Sequence, residues 1–339
     1  MRKYKKTIIG SSLLLILLLV SCLYPYYGPV DFNKQIFVKD EHGNVIDRAP
    51  FPPSEKHWLG TTRNGEELHW LLLYGVKFTL ITAFCVAALR VILGGFFGMF
   101  LSLWAPFLKS YFKDFFLTMR YIPSILIAFV LMIPIVGAPN DVAISSIVTY
   151  QLIILVFIGF PSVTLFVADI SDELFKTSFV QSSLLMGAGK IHIIKRQLVP
   201  YMRSYGILFT VQQILSTLQI TMQLSIFGLF LGGLNRAGVF GYEDASGRQK
   251  PASLSNEWAG LIGQNFTEFA LAPWIVFAPV LGFFLVILIV NMIKKELEEN
   301  LNGFEIVKKK GKSKAVSLQS EKHSSSADFV FVEKGRLER

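Results

Sequence analysis

Few residues in this sequence are charged, and almost nothing in it can form a disulfide or hold a metal. Asp, Glu, Lys and Arg make up 17% of the 339 residues, against about a quarter in soluble globular chains. The two cysteines, Cys22 and Cys85, both lie in apolar runs, which excludes a disulfide-stapled secreted scaffold. Five histidines are scattered without metal-ligand spacing, so no metal is expected. No Gly-x-x-x-x-Gly-Lys-Ser/Thr phosphate loop occurs, and the polar segments carry no catalytic constellation. The chain is therefore expected to bind no cofactor, to have no catalytic residues and not to hydrolyse ATP itself.

Apolar sequence is what the chain has in excess. It is 52% hydrophobic with 30 Phe, and its mean hydropathy is +0.49, more than one soluble core requires. The net charge of +9 gathers at both ends and between Gln181 and Arg203. Basic clusters flanking apolar spans indicate the inner leaflet and its anionic lipid rather than nucleic acid. The expectation is an all-α integral membrane protein with about six transmembrane helices. Residues 1–24 would form the first span, 25–70 an extracellular loop, 71–303 a transmembrane core and 304–339 a basic, disordered cytoplasmic tail. Leu19-Val20-Ser21-Cys22 also fits a lipobox, but an uncleaved span is the expected reading. The later spans are expected near 71–104, 115–136, 142–167, 204–231 and 271–293. A short basic turn is expected at Pro106–Lys113, an outer turn at Pro139-Asn140-Asp141 and an interruption at Gly159-Phe160-Pro161.

One polar stretch organises the rest. Gln181, Ser182 and Ser183 lead to Gly187, and the chain then runs through Lys195 and Arg196 to Pro200. Gly187 and Gly189 predict a bend between two short helices. The second would present Ile191, Ile194 and Leu198 on one face and His192, Lys195 and Arg196 on the other, with Pro200 closing it. The stretch resembles the "EAA" loop of ABC-importer permeases: Glu-Ala-Ala, three residues, Gly, then Pro thirteen residues later. Gly187 and Pro200 keep that interval, while the acid is replaced by the amide of Gln181. The resemblance implies that this segment, about residues 172–203, docks on a cytoplasmic ATPase and carries its motion into the membrane.

Two further stretches extend the likeness. His57-Trp58-Leu59-Gly60-Thr61-Thr62, Gly65 and Tyr74-Gly75 resemble the entry to the second span in the dipeptide/oligopeptide/nickel branch of that family, here with Thr62 and Glu66-Glu67 where the branch has Asp and Arg-Asp. Glu257-Trp258-Ala259-Gly260, Ala272-Pro273-Trp274 and the run Asn291 to Asn302 are similar to its closing region. The branch implies the MetI-like ABC permease fold, a place in the bacterial cytoplasmic membrane with both termini inside, and peptide cargo. It also implies a second permease subunit, two ATP-binding subunits that use the ATP, and an extracytoplasmic substrate-binding protein. Import of nickel or another small solute stays open, as does a non-transporting sensor or scaffold.

The pathway candidates come from polar residues inside apolar runs. Gln212, Ser216, Gln219 and Gln223 recur at spacings of four, three and four, on one helical face. Such a face needs protein or water opposite it, so it reads either as a wet pathway or as a packed interface. Arg90, costly in hydrocarbon, is expected to line the path or to meet an acid on a neighbouring subunit.

Overall fold

The computed structural model describes residues 4–29, 31–40, 42, 44–119, 121–136, 142–235, 242–243, 249–250, 252–253 and 255–324. Ten α-helices occur among them: α1 (Lys5–Tyr27), α2 (Leu68–Leu103), α3 (Pro106–Met119), α4 (Ser124–Val136), α5 (Ile144–Phe175), α6 (Ser178–Leu185), α7 (Lys190–Ile193), α8 (Val199–Ile226), α9 (Trp258–Asn265) and α10 (Pro273–Ser324). Two short strands, β1 (Phe37–Lys39) and β2 (Val45–Arg48), pair antiparallel before α2.

Among the described residues, α1, α2, α5 and α10 up to Leu301 are long and apolar enough to span a membrane, and α3 with α4 raises the number to five if that bent pair is one span. The remaining helix of the expected six is α8, which has 28 residues but too much amide and hydroxyl to count by hydropathy. The third span also departs from expectation. The basic turn at Pro106–Lys113 is instead the start of α3, with Pro106 in the first helical position, where its missing N–H is not needed. The axis then bends by 89° before α4, because Pro123 disfavours a helical Ile122. Lys109 reaches Asp169 at 2.8 Å and Asp172 at 2.6 Å on α5, so the basic charge is paired there.

Gly159-Phe160-Pro161 does not interrupt α5, which runs unbroken across it. Ser162 Oγ donates to the Gly159 carbonyl and Thr164 Oγ1 to that of Phe160; hydroxyls of this kind re-satisfy backbone near a proline inside a span. The α2–α5 seam is close-packed. A Cβ on Gly94 would lie 2.6 Å from Val163 Cβ and one on Gly98 2.7 Å from Val167 Cβ, so two glycines one turn apart bring the helices together.

α1 and α8 run in one direction through the bundle, and α2, α5 and α10 run in the other, Gly94, Gly98 and Ser102 of α2 meeting Val163, Val167 and Asp172 of α5 in the same order. Thr7 of α1 meets Glu296 of α10, while Tyr24 at the other end of α1 stacks on Phe32 and contacts Trp70 and Tyr74. The start of α1, the α2–α3 junction, residues 176–198 and the second half of α10 therefore share one end of the bundle, called here the loop end. In α1 the helix continues through Cys22, and the buried Ser21 donates to the Tyr74 carbonyl and accepts the Lys77 N–H. At the far end His57–Leu68 forms a compact cap, tied to the α9–α10 turn by Arg63–Glu268 and by Trp274 Nε1–H to the Thr61 carbonyl. Glu67, one of the two acids expected to mark a departure from the family frame, is buried and meets His57 Nδ1 at 2.8 Å. Burial holds the Glu66 carboxyl above its ordinary range, with the Thr62 hydroxyl pulling it back.

α10 continues as helix to Ser324 where an unstructured tail was expected, and residues 325–339 lie outside those described. The turn expected at Pro139-Asn140-Asp141 also lies outside the described residues.

Candidate coupling segment and pathway face

α5 ends at Phe175 and α6 begins three residues later. Gln181 lies on the solvent side of α6, and its Nε2–H donates to the Phe175 carbonyl at 2.7 Å. That contact needs a donor at the carbonyl end of a helix, so the amide performs a task a carboxylate could not. Ser182 and Ser183 return their hydroxyls to the carbonyls of Ser178 and Phe179. Gly187 then takes φ +86°. Gly187 N–H bonds the Leu184 carbonyl and Ala188 N–H that of Ser183, the paired bonds of a Schellman stop.

The second helix differs from the sequence reading. Ile193 and Leu198 are the buried residues, while Ile191 is exposed. The reason is a π-helical turn at Ile194–Leu198, whose wider winding shifts the apolar register. Pro200 does not close the helix either. It sits in the first turn of α8, and the chain passes through the π turn into that helix. A proline cannot accept an ordinary helical bond pattern behind it, and a widened turn accommodates it.

Val180, Ile193 and Leu198 pack with Leu103 of α2 and Leu174 of α5 in one apolar cluster. Lys190 Nζ donates to the Leu103 carbonyl at 2.7 Å, and Gln197 Nε2–H to Ser183 Oγ at 2.7 Å. The segment is thus braced against the ends of two spans. Its tip is the reverse: Leu185 and Met186 are 88% and 81% exposed. Neither tip residue nor the bracing by Lys190 and Gln197 stood out in the sequence, since none falls on a family motif position.

The polar face of α8 divides in two. Gln212, Gln219 and Gln223 are exposed, and Ser216 is half-buried. Gln213 and Thr217, beside them, are buried. The glutamine row is therefore turned away from the rest of this chain. Arg90 is not on that surface. It is fully buried within this chain, where it was expected to line the path or to meet an acid on a neighbouring subunit. Its partners in this chain are not acids. Nε and Nη2 donate to the Leu155 carbonyl at 3.0 and 2.5 Å, and Nη1 to Gln213 Oε1 at 3.1 Å and Ser216 Oγ at 3.5 Å. A Cβ on Gly159 would stand 2.2 Å from the guanidinium carbon, so that glycine supplies the space. Arg90 joins α2, α5 and α8 behind the glutamine row. Its partners lie on helices remote in sequence, which is why reading along one helix could not find them.

No protein-family model matches the chain. Among characterised proteins, it is 24% identical over 233 residues to the oligopeptide transport system permease protein AmiD of Streptococcus pneumoniae, covering 68% of this chain and 70% of that protein. It is 22% identical over 260 residues to the glutathione transport system permease protein GsiD of Pectobacterium atrosepticum, covering 76% and 75%. To GsiD of an Escherichia coli strain it is 23% identical over 253 residues, covering 74% and 73%. These relatives match the resemblance drawn from the entry, loop and closing residues. With its apolar helices, the chain is a multi-pass, all-α membrane protein of the ABC permease fold, similar to the permeases of oligopeptide-type transport systems.

Proposed function

We propose that this chain forms half of a translocation pathway for peptides and takes its motion from a cytoplasmic ATPase seated on residues 178–198. The observation that carries the reading is the exposed Leu185–Met186 tip on a braced, two-helix segment. Full burial of each such side chain is worth about 1.5–3 kcal/mol, enough for a docking anchor when the backbone behind it is fixed. The names of the relatives, oligopeptide and glutathione permeases, support a peptide cargo. In this reading the loop end faces the cytoplasm. A second permease faces the glutamine row across the wet pathway, two ATP-binding subunits consume ATP, and an outer binding protein delivers cargo.

The double substitution Leu185→Asp/Met186→Asp tests the docking. The chain should insert at parental abundance, while recovery of the ATPase in a detergent pull-down should fall about tenfold or more, the loss expected when two anchors become charged. Undiminished recovery would remove the tip from the ATPase contact.

The glutamine row is tested separately. Gln219 is exposed in this chain, so Gln219→Leu in a wet pathway should leave the assembled complex intact and alter uptake or cargo preference. A cysteine replacing Gln219, with Cys22 and Cys85 changed to serine, should react with a water-soluble maleimide. Loss of the complex in Gln219→Leu, with an unreactive cysteine, would assign the row to packing between subunits.

A further inference from the structure

Helix α9 has eight residues, too few to cross a membrane, yet all of them except Gly263 are buried. It enters the bundle against α2. The Trp258 N–H donates to Thr79 Oγ1 at 3.2 Å and its Nε1–H to the Leu72 carbonyl at 2.8 Å. A Cβ on Gly75 would meet the Asn256 carbonyl at 2.1 Å, so backbone touches backbone. Glu257, the residue before α9, is thereby held inside the protein at 5% exposure.

Its carboxylate holds one short segment. Oε1 accepts the Leu231 N–H at 2.5 Å. From the opposite side Gln151 of α5 grips the neighbouring residues: Nε2–H donates to the Phe230 carbonyl at 2.6 Å, and Oε1 accepts the Gly232 N–H at 2.9 Å. Two side chains thus fix three consecutive residues of backbone just beyond the end of α8. Glu257, Gln151, Thr82 and Thr221 also line a cavity of about 30 Å³, room for a water among polar partners.

We infer that Glu257 is a proton-binding site which, when protonated, locks Phe230–Gly232 and with it the far end of α8. Among the described residues, no other charged side chain lines the cavity. On the packed elements, α9 and the apolar part of α10 carry none up to Ile293, and α8 carries only Arg203 near its opposite end. On α2, Arg90 is spent on Leu155, Gln213 and Ser216, Lys77 lies over the rings of Tyr74 and Phe78, and His69 stands beside Glu67, while Glu268 receives Arg63. Among the described residues, nothing cationic therefore stands against the anion in the locked state.

Burial raises the Glu257 carboxyl from 4.5 to about 7, with the Leu231 N–H opposing part of that rise. The sign follows from linkage: the locked state holds the proton more tightly than an opened, water-filled state does. Acid therefore favours the lock. Its advantage is full below about pH 4.5 and is lost as pH rises through about 7. Because α8 carries the glutamine row, release would loosen the helix that bears the proposed pathway face. The lock itself does not depend on peptide cargo or ATPase docking.

The test uses the full chain in membrane vesicles with Cys22→Ser, Cys85→Ser and Leu231→Cys. Its labelling rate by a water-soluble maleimide is compared, at each pH, with the same chain carrying Glu257→Gln. The amide keeps an oxygen for Leu231 and cannot ionise, so the comparison cancels the thiol's own pH dependence. The ratio of parent to Glu257→Gln rates should stay within a few-fold of one at pH 5 and rise roughly tenfold or more from there by pH 8. If Leu231→Cys fails to insert, amide exchange of residues 229–233 in the two otherwise unaltered chains gives the same ratio. A ratio that stays flat or falls across this range would overturn the lock.

Discussion

Replacing Gly187 by proline is expected to leave the chain inserted in the membrane and to abolish uptake. Gly187 has φ +86° and bonds its N–H to the Leu184 carbonyl. Proline is fixed near −65° and has no N–H, so both the turn and its stop are lost. The site is not crowded, since nothing lies within 4 Å of an added Cβ. Bulk alone should therefore matter little, and the penalty should follow backbone angle. Asn, which tolerates the left-handed region, should retain most uptake. Ala and Trp should both lose about 1–2 kcal/mol of local stability and fall between Asn and Pro. Uptake of a labelled peptide, normalised to membrane abundance, gives the order. Parental uptake with proline at position 187 would make the segment a connector that transmits nothing.

That order rests on a feature the sequence shows openly, because glycine at a helix end announces a left-handed stop. The spans α1, α2, α5 and α10 were legible for a similar reason: twenty or more apolar residues have few alternatives to a membrane helix. Where packing decides, the sequence was less informative. The seating of α3 against α5 depends on Lys109 finding Asp169 and Asp172, residues some sixty positions away. The buried position of Ile193, not Ile191, depends on a π turn that no periodicity announces. α9 reads as part of a polar loop, yet its depth is set by Gly75, Thr79 and Leu72 on another helix. Arg90 belongs with these. An arginine in a span advertises that it has a partner and says nothing of which one.

Substituting valine for Gly159 should be among the most damaging single changes in the spans, and the damage should depend on Arg90. A Cβ at position 159 would lie 2.2 Å from both Cζ and Nε of Arg90, so the guanidinium must leave the Leu155 carbonyl and Gln213. Stranding a buried charge in this way costs about 3–5 kcal/mol. Arg90→Met alone removes the charge along with its hydrogen bonds, and should cost less, about 1–3 kcal/mol, chiefly from the unpaired Gln213 amide. In the double variant the valine meets a side chain that can move aside and no charge is stranded. The two changes should then fall short of additivity by about 1–3 kcal/mol. Membrane abundance and thermal stability in detergent measure this coupling; full additivity would mean that Gly159 does not serve Arg90. Transport gives the second half of the test. A buried tie between helices does not meet cargo, so Arg90→Met chains that reach the membrane should keep the parental ratio of anionic to neutral peptide uptake. A selective loss of anionic peptides would instead bring Arg90 back to the pathway and require α8 to move aside during transport.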